Sequence, residues 1–274
     1  MICPRPLRLP HATVGCGKCD ACIINRRRIL VTRLLLEARD HPASFFCTLT
    51  YDEEHIPDGG NLSPNDLQLF WKLLRRRYHP ASFRYFAHGE YGGRTGRPHY
   101  HFILYTDCFI TADMVSRVWQ KGFVDVQILT EANAAYVAGY IEPGGDKDAA
   151  SRSGGRVPEF TRQSLKPGIG YGVAPSIASE ILTRSGLNYL TTEADIPSVV
   201  RIDSKLRPLG QYLKRKAREC AGIDEPSRRT LNLVKRMSRP NPTKEEVELL
   251  EQKRRHSARR AKFLISTHRM KEKL

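Results

Sequence analysis

The stretch from Phe83 to Tyr105 constrains this chain more than any other. It reads FRYFAHGEY, then GGRTG, then RPHYHFILY, two runs of alternating apolar and polar side chains around a Gly-rich turn. That is the short-range pattern of a β-hairpin. With the turn centred on Gly93 to Gly96, Glu90 falls opposite His99 and His88 opposite His101. Side chains two apart on a strand share a face. One face of the hairpin therefore gathers His88, Glu90, His99 and His101, while Tyr100, Phe102 and Leu104 point into a core. Two histidines two apart are an ordinary feature of half-buried strands. A carboxylate opposite them makes a donor set suited to a divalent ion.

The segments around the hairpin alternate in a regular order. Asp20 caps a helix running to about Arg39, with Ile23, Ile24, Leu30, Val31, Leu34 and Leu35 on its apolar side. FFCTLTYD at 45–52 is a strand whose Thr48 and Thr50 share a face. Ser63-Pro64-Asn65-Asp66 supplies a cap, a first-turn Pro and an early acid to the helix LQLFWKLLRRR. Its last turn, Arg75, Arg76 and Arg77, suits the helix dipole. Those three arginines either meet a phosphate backbone or form a solvated face. Thr111 caps a helix through Lys121 with Gly122 as its terminator, VDVQIL is a strand, and Glu131 to about Ile141 is a short helix.

Helix, strand, helix, strand, strand, helix, strand, helix predicts an α+β fold, a mostly antiparallel sheet with flanking helices, over residues 20–142. Residues 1–19 form a Cys-containing N-terminal segment. Residues 143–240 are a Gly/Pro-rich and basic extension packed on the core, with 143–174 a loop or surface excursion. The capping box Thr243-x-x-Glu246 opens a charged C-terminal helix within 241–274.

Four further features bear on function. Lys and Arg outnumber Asp and Glu by 45 to 29, a formal charge of +16, which favours a polyanionic partner. No stretch reads as a signal peptide or membrane span, so a soluble cytoplasmic protein is expected. Cys16, Cys19 and Cys22 form C-x2-C-x2-C, and Cys3 could complete a four-thiolate set. Structural zinc, inert thiols and an iron–sulfur centre all remain open for that cluster. Finally, AAYVAGY places Tyr136 and Tyr140 four apart, on one helix face with Cβ atoms about 6 Å apart. Taken alone, such a pair is aromatic packing. Beside a carboxylate–histidine site it points to phosphoryl transfer, with a tyrosine oxygen attacking a scissile phosphate to leave DNA joined to protein.

The motifs CGKCDAC, FFCTLTYDEEHIP, LQLFWKLLRRR, RYFAHGEYG, GRPHYHFILY, AAYVAGYI, PEFTRQSLKPGIGYG and KLRPLGQY together resemble the replication initiators of the Microviridae, most closely the gokushovirus type. Those proteins belong to the HUH endonuclease superfamily, with RPHYH as the histidine motif and TLTYD as the first motif. The resemblance implies a ferredoxin/RRM-like HUH core. It implies His99 and His101 as the metal pair, Glu90 as third ligand with His88 beside it, and Mg2+ or Mn2+ as the ion. Tyr136 and Tyr140 would be the nucleophiles. The reaction would nick one strand of phage replicative-form DNA, rejoin single strands after each round of rolling-circle synthesis, and enlist the host helicase and polymerase in the host bacterial cytoplasm. This chain departs from the family where a basic residue usually precedes the second tyrosine. Gly139 stands there, and Glu142-Pro143-Gly144 replaces the lysines that usually follow. Lys147 substitutes if its loop folds back, and Tyr136 is otherwise expected to be the better nucleophile. The competing classes are a non-catalytic DNA-binding protein on the same fold and a relaxase- or transposase-like HUH nuclease.

Overall fold

The computed structural model describes residues 1–9, 12–93, 95–140, 155–224 and 243–271. Lys147 and Glu142-Pro143-Gly144 lie outside the described residues. The chain opens with strands β1 (Leu7–Leu9) and β2 (Ala12–Val14), paired antiparallel, and helix α1 (Asp20–Arg39). Two compact units follow from the contacts, Met1–Arg33 with Gly170–Lys271, and Leu34–Ile169.

The Leu34–Ile169 unit is built on β3 (Ala43–Tyr51), α2 (Pro64–Arg77), β4 (Phe83–Tyr91), β5 (Pro98–Thr106), α3 (Ala112–Trp119), β6 (Gly122–Ile128), α4 (Glu131–Gly139) and β7 (Phe160–Gln163). Its five strands run in the order β6-β3-β5-β4-β7, every pair antiparallel. The expected α+β architecture and element order are therefore present. Period-two alternation decides the two faces. Tyr100, Phe102 and Leu104 join Leu49, Leu67, Phe70, Trp71, Leu74 and Trp119 in one buried cluster. Phe102 meets the rings of Phe70 and Trp71 at centroid distances of 5.7 and 5.0 Å, so α2 covers this face. The helix starts are where their caps put them. Ser63 Oγ accepts from the Asp66 N–H, Thr111 Oγ1 from Met114, and Thr130 forms a reciprocal capping box with Asn133.

Two local expectations change. Helix α3 stops at Trp119, because Gln120 takes the left-handed conformation at φ 51°, one turn before the anticipated stop at Gly122. Gly122 instead opens β6 at φ 136° and lies so close to β3 that a Cβ there would sit 2.3 Å from the Asp52 nitrogen. Only glycine fits both the angle and the approach. The second change is β7, a strand inside the stretch anticipated as loop or surface excursion. FTRQ is too short to stand out by alternation, and it becomes a strand by completing the free edge of β4.

The other unit contains α5 (Val173–Ile181), α6 (Arg184–Glu193), the hairpin β8 (Val199–Ile202) and β9 (Lys205–Pro208), α7 (Gly210–Ala221) and α8 (Lys244–Lys271). Ala174, Ile181, Ile196 and Ala217 form one small core, and Ala21, Ile24 and Ala261 another. Asp195 accepts from Lys214 and Arg218, which holds α7 to the start of the β8 segment. The anticipated capping box at Thr243 and Glu246 opens α8. No described helix is long and apolar enough to cross a membrane.

Candidate metal and nucleophile site

The hairpin register is the one the sequence implies, with Glu90 opposite His99 and His88 opposite His101. Glu90 Oε1 lies 2.7 Å from His99 Nε2 and 3.0 Å from His101 Nε2. The three ligand atoms fall within 4.8 Å of one another, which marks them as a group able to hold a metal. All three side chains are largely enclosed, and the outer nitrogens of the histidines are held. His99 Nδ1 donates to the Arg97 carbonyl at 3.1 Å, and His101 Nδ1 meets Thr48 Oγ1 at 3.0 Å. Fixing Nδ1 orients Nε2 toward the ion, the usual arrangement around ligating imidazoles. Thr48 comes from β3, where it pairs directly with His101.

The electrostatics are those of a site built for positive charge. Burial opposes the charge on Glu90, but hydrogen bonds and attraction from His101 and His99 prevail and bring its carboxyl down to about 2. Burial alone would lower the His99 pKa, yet the Glu90 carboxylate raises it. Without a cation, then, imidazolium protons neutralise the carboxylate. A divalent ion would replace them, and two nitrogens with one carboxylate oxygen fit Mg2+- or Mn2+-type coordination with positions left open.

Helix α4 lays both tyrosines over this cluster. The Tyr136 hydroxyl is 3.4 Å from His101 Nε2, and its ring meets that of Tyr140 edge-on at 5.1 Å. Tyr136 is 36% exposed, so substrate can reach it. Tyr140, at the helix C-cap, stacks on His88 at 4.7 Å. Its hydroxyl is pushed far above the ordinary tyrosine range, first by burial, then by the negative charge of Glu90 and by Tyr136. The two tyrosines therefore differ in access and in acidity. His88 bonds Thr161 of β7 through Nδ1 at 3.2 Å and lies beneath Tyr140, a position for orienting that ring.

The basic helix end is divided. Arg75 donates to the Phe83 carbonyl and lies over the Tyr85 ring. Arg76 and Arg77 join Arg117, Leu73, Val118 and Gln120 around a groove of about 330 Å³. This groove lies with α2 and α3 on the face of the sheet away from the metal ligands. The cysteines do come together: the Sγ atoms of Cys3, Cys16, Cys19 and Cys22 all lie within 4.8 Å of one another.

Sequence reasoning passed over three residues. Thr48 and Thr161 anchor histidines through cross-strand pairs that only the sheet order creates. Phe123 of β6 pairs with Thr50, which pairs with His99, so it shares the ligand face, and it is 68% exposed. An outward phenylalanine in VDVQIL's approach looked like the start of a strand and nothing more.

A Glu/His₂ group with paired tyrosines on an antiparallel α+β sheet defines a candidate metal-dependent phosphoryl-transfer centre. Residues 44–144, which carry every member of it, match the family of the Replication-associated protein ORF2. The chain is 30% identical over 176 residues to Replication-associated protein ORF4 of Chlamydia phage 1, covering 55% of this chain and 44% of that protein. It is 33% identical over 184 residues to Replication-associated protein ORF2 of Spiroplasma virus 4, covering 58% and 57% respectively. Replication-associated protein VP4 of Bdellovibrio phage phiMH2K is 28% identical over 159 residues, covering 48% and 50%. The chain thus spans about half the length of the curated relatives it matches. No solved structure matches it. These matches bear out the resemblance to phage replication initiators that the motifs carry.

Proposed function

We propose that this chain is a site-specific single-strand DNA endonuclease and strand transferase that initiates and terminates phage rolling-circle replication. The observation that carries this reading is the Tyr136 hydroxyl 3.4 Å from His101 Nε2, beside the Glu90–His99 pair. Glu90, His99 and His101 would hold Mg2+ or Mn2+, which when bound polarises the scissile phosphate and offsets its charge. Tyr136 presents its oxygen to phosphorus. As the Tyr136 O–P bond forms, the P–O3′ bond breaks, and the phenolic proton is carried off to the departing 3′-hydroxyl. The 5′ end stays on the enzyme as a phosphotyrosine. That linkage keeps its phosphoryl potential, so a free 3′-hydroxyl reverses it without ATP. Tyr140 then serves the second cut while Tyr136 is occupied.

The face around the site supports a single strand as substrate. Phe123 stands two strands from His99, about 10 Å across the sheet. An exposed aromatic at that distance suits stacking on a base next to the scissile phosphate. The net charge of +16 suits backbone contacts. Arg76 and Arg77 would meet DNA on the far face, away from the cleaved strand, and Lys147 would lie near the phosphate if its segment folds toward Tyr140. The replicative-form DNA, the host helicase and polymerase, and the host cytoplasm belong to this proposal as its setting.

Incubation with a labelled origin oligonucleotide and Mn2+, followed by a denaturing gel, tests it. The expected product is a covalent adduct that maps to Tyr136 or Tyr140. Tyr136→Phe should lose most single-turnover adduct, Tyr140→Phe should keep it but fail in circle production, and the double variant should form none. Sequence-dependent duplex binding without any adduct would instead make the chain a DNA-binding protein on the same fold. Adduct on a third tyrosine would end the assignment.

A further inference from the structure

The four clustered cysteines take no part in the proposed chemistry, and the segment carrying three of them has little else to hold it. Cys3 and Cys16 flank β1 and β2, a hairpin with three residues in each strand. Such a pair is marginal in water without a core beneath it. Here β1 is exposed throughout, with Leu7 at 52% and Leu9 at 42%. Met1 is tied to Asn25, and the Ile2 N–H donates to Ser257, but those bonds stop short of the hairpin. The cysteines are what close it.

Their geometry is specific. Cys3 Sγ and Cys19 Sγ are 3.7 Å apart, and all four sulfurs fall within 4.8 Å of one another. Four thiolates about 2.3 Å from one tetrahedral ion are separated by about 3.8 Å along each edge. A disulfide would need its two sulfurs at about 2.05 Å, and all four cysteines are free. An iron–sulfur cluster puts each thiolate on a different iron and needs a wider set. The backbone is arranged around the sulfurs as well. The Cys16 N–H donates to Cys3 Sγ and the Cys19 N–H to Cys16 Sγ, both at 3.4 Å. Gly15 lets the chain pass beside Cys22, since a Cβ there would lie 2.9 Å from its sulfur, and Gly17 turns at φ 76°. Cys19 and Cys22 stand at the start of α1, so the cluster fastens the hairpin to the helix.

We propose that Cys3, Cys16, Cys19 and Cys22 bind one zinc ion as a closed tetrathiolate site, and that this ion holds the hairpin of residues 4–18 to α1. Closed four-ligand shells are structural, and in small coreless segments the metal supplies the folding free energy. The site is independent of the nuclease reading.

Zinc and iron should be measured by elemental mass spectrometry on the full chain purified without added metal. The expected result is about one zinc per chain, retained in the His99→Ala/His101→Ala double variant, retained in Cys220→Ser, and lost in Cys16→Ser/Cys19→Ser. If the cysteine variant does not fold, the wild-type chain still decides. Titrating its thiols with a mercurial should release one zinc in step with four thiols, and hydrogen exchange should then rise selectively over residues 4–18. Zinc-free wild-type protein with four reactive thiols, two disulfides by intact mass, or iron with acid-labile sulfide would each overturn the proposal. So would zinc that disappears with the histidines and not with the cysteines.

Discussion

Replacing Thr48 with Val tests whether the sheet itself tunes the metal site. Val keeps the shape and β-branching of Thr and removes only the hydroxyl that meets His101 Nδ1 at 3.0 Å. With the ion bound through Nε2, Nδ1 carries the proton and donates to Thr48 Oγ1. His101 is 9% exposed, so water does not readily take the place of that oxygen. An unsatisfied buried donor costs about 1–3 kcal/mol. At about 1.4 kcal/mol per decade this is about a 5- to 150-fold loss, in line with the 10–100-fold expected for an outer partner of a metal-bound histidine. The loss should fall on ion affinity. The Mn2+ concentration giving half-maximal adduct formation should rise at least tenfold, while the rate at saturating Mn2+ changes little. Thr50→Val is the control, because it faces His99, whose Nδ1 is already held by the Arg97 carbonyl. An unchanged Mn2+ midpoint in Thr48→Val, or equal shifts in both variants, would refute the reasoning.

Alanine at Glu90, His99 or His101 should abolish ion-dependent cleavage and leave duplex binding within a fewfold, since surface charge and the ion act separately. His88→Ala should spare the first cleavage and slow the second transfer, measured with a two-site oligonucleotide, because it removes the ring beneath Tyr140. Phe123→Ala should weaken single-strand binding by about 1–3 kcal/mol by fluorescence anisotropy without changing the saturated cleavage rate, whereas Arg76→Gln/Arg77→Gln should instead flatten the salt dependence of duplex binding. In the other unit, burial would raise the Asp195 pKa, but Lys214 and Arg218 lower it. A depressed folded pKa gives stability that is complete above the unfolded Asp value of about 3.9 and is lost as pH falls through the folded value. Urea midpoints measured from pH 7 to pH 3 should drop in the wild type, while Asp195→Asn starts lower by on the order of 3 kcal/mol and flattens that dependence.

The local sequence decided everything that depends on period and neighbourhood. Alternation around one Gly-rich turn set which hairpin residues oppose each other, so Glu90, His99 and His101 could be brought together before any sheet was known. Four-residue spacing put Tyr136 and Tyr140 on one side of α4, and capping side chains placed the starts of α2, α3, α4 and α8. C-x2-C-x2-C implied a shared ion, yet only the fold brought Cys3 to it, across a hairpin whose strands nothing in their composition requires. Tertiary structure alone placed Thr48 behind His101, Phe123 on the ligand face, Thr161 against His88, and Arg76 and Arg77 on the opposite face from the nucleophiles. These depend on strand order and on which helix covers which face. A short strand such as FTRQ has no pattern of its own, and it exists because β4 has an edge whose backbone groups need partners.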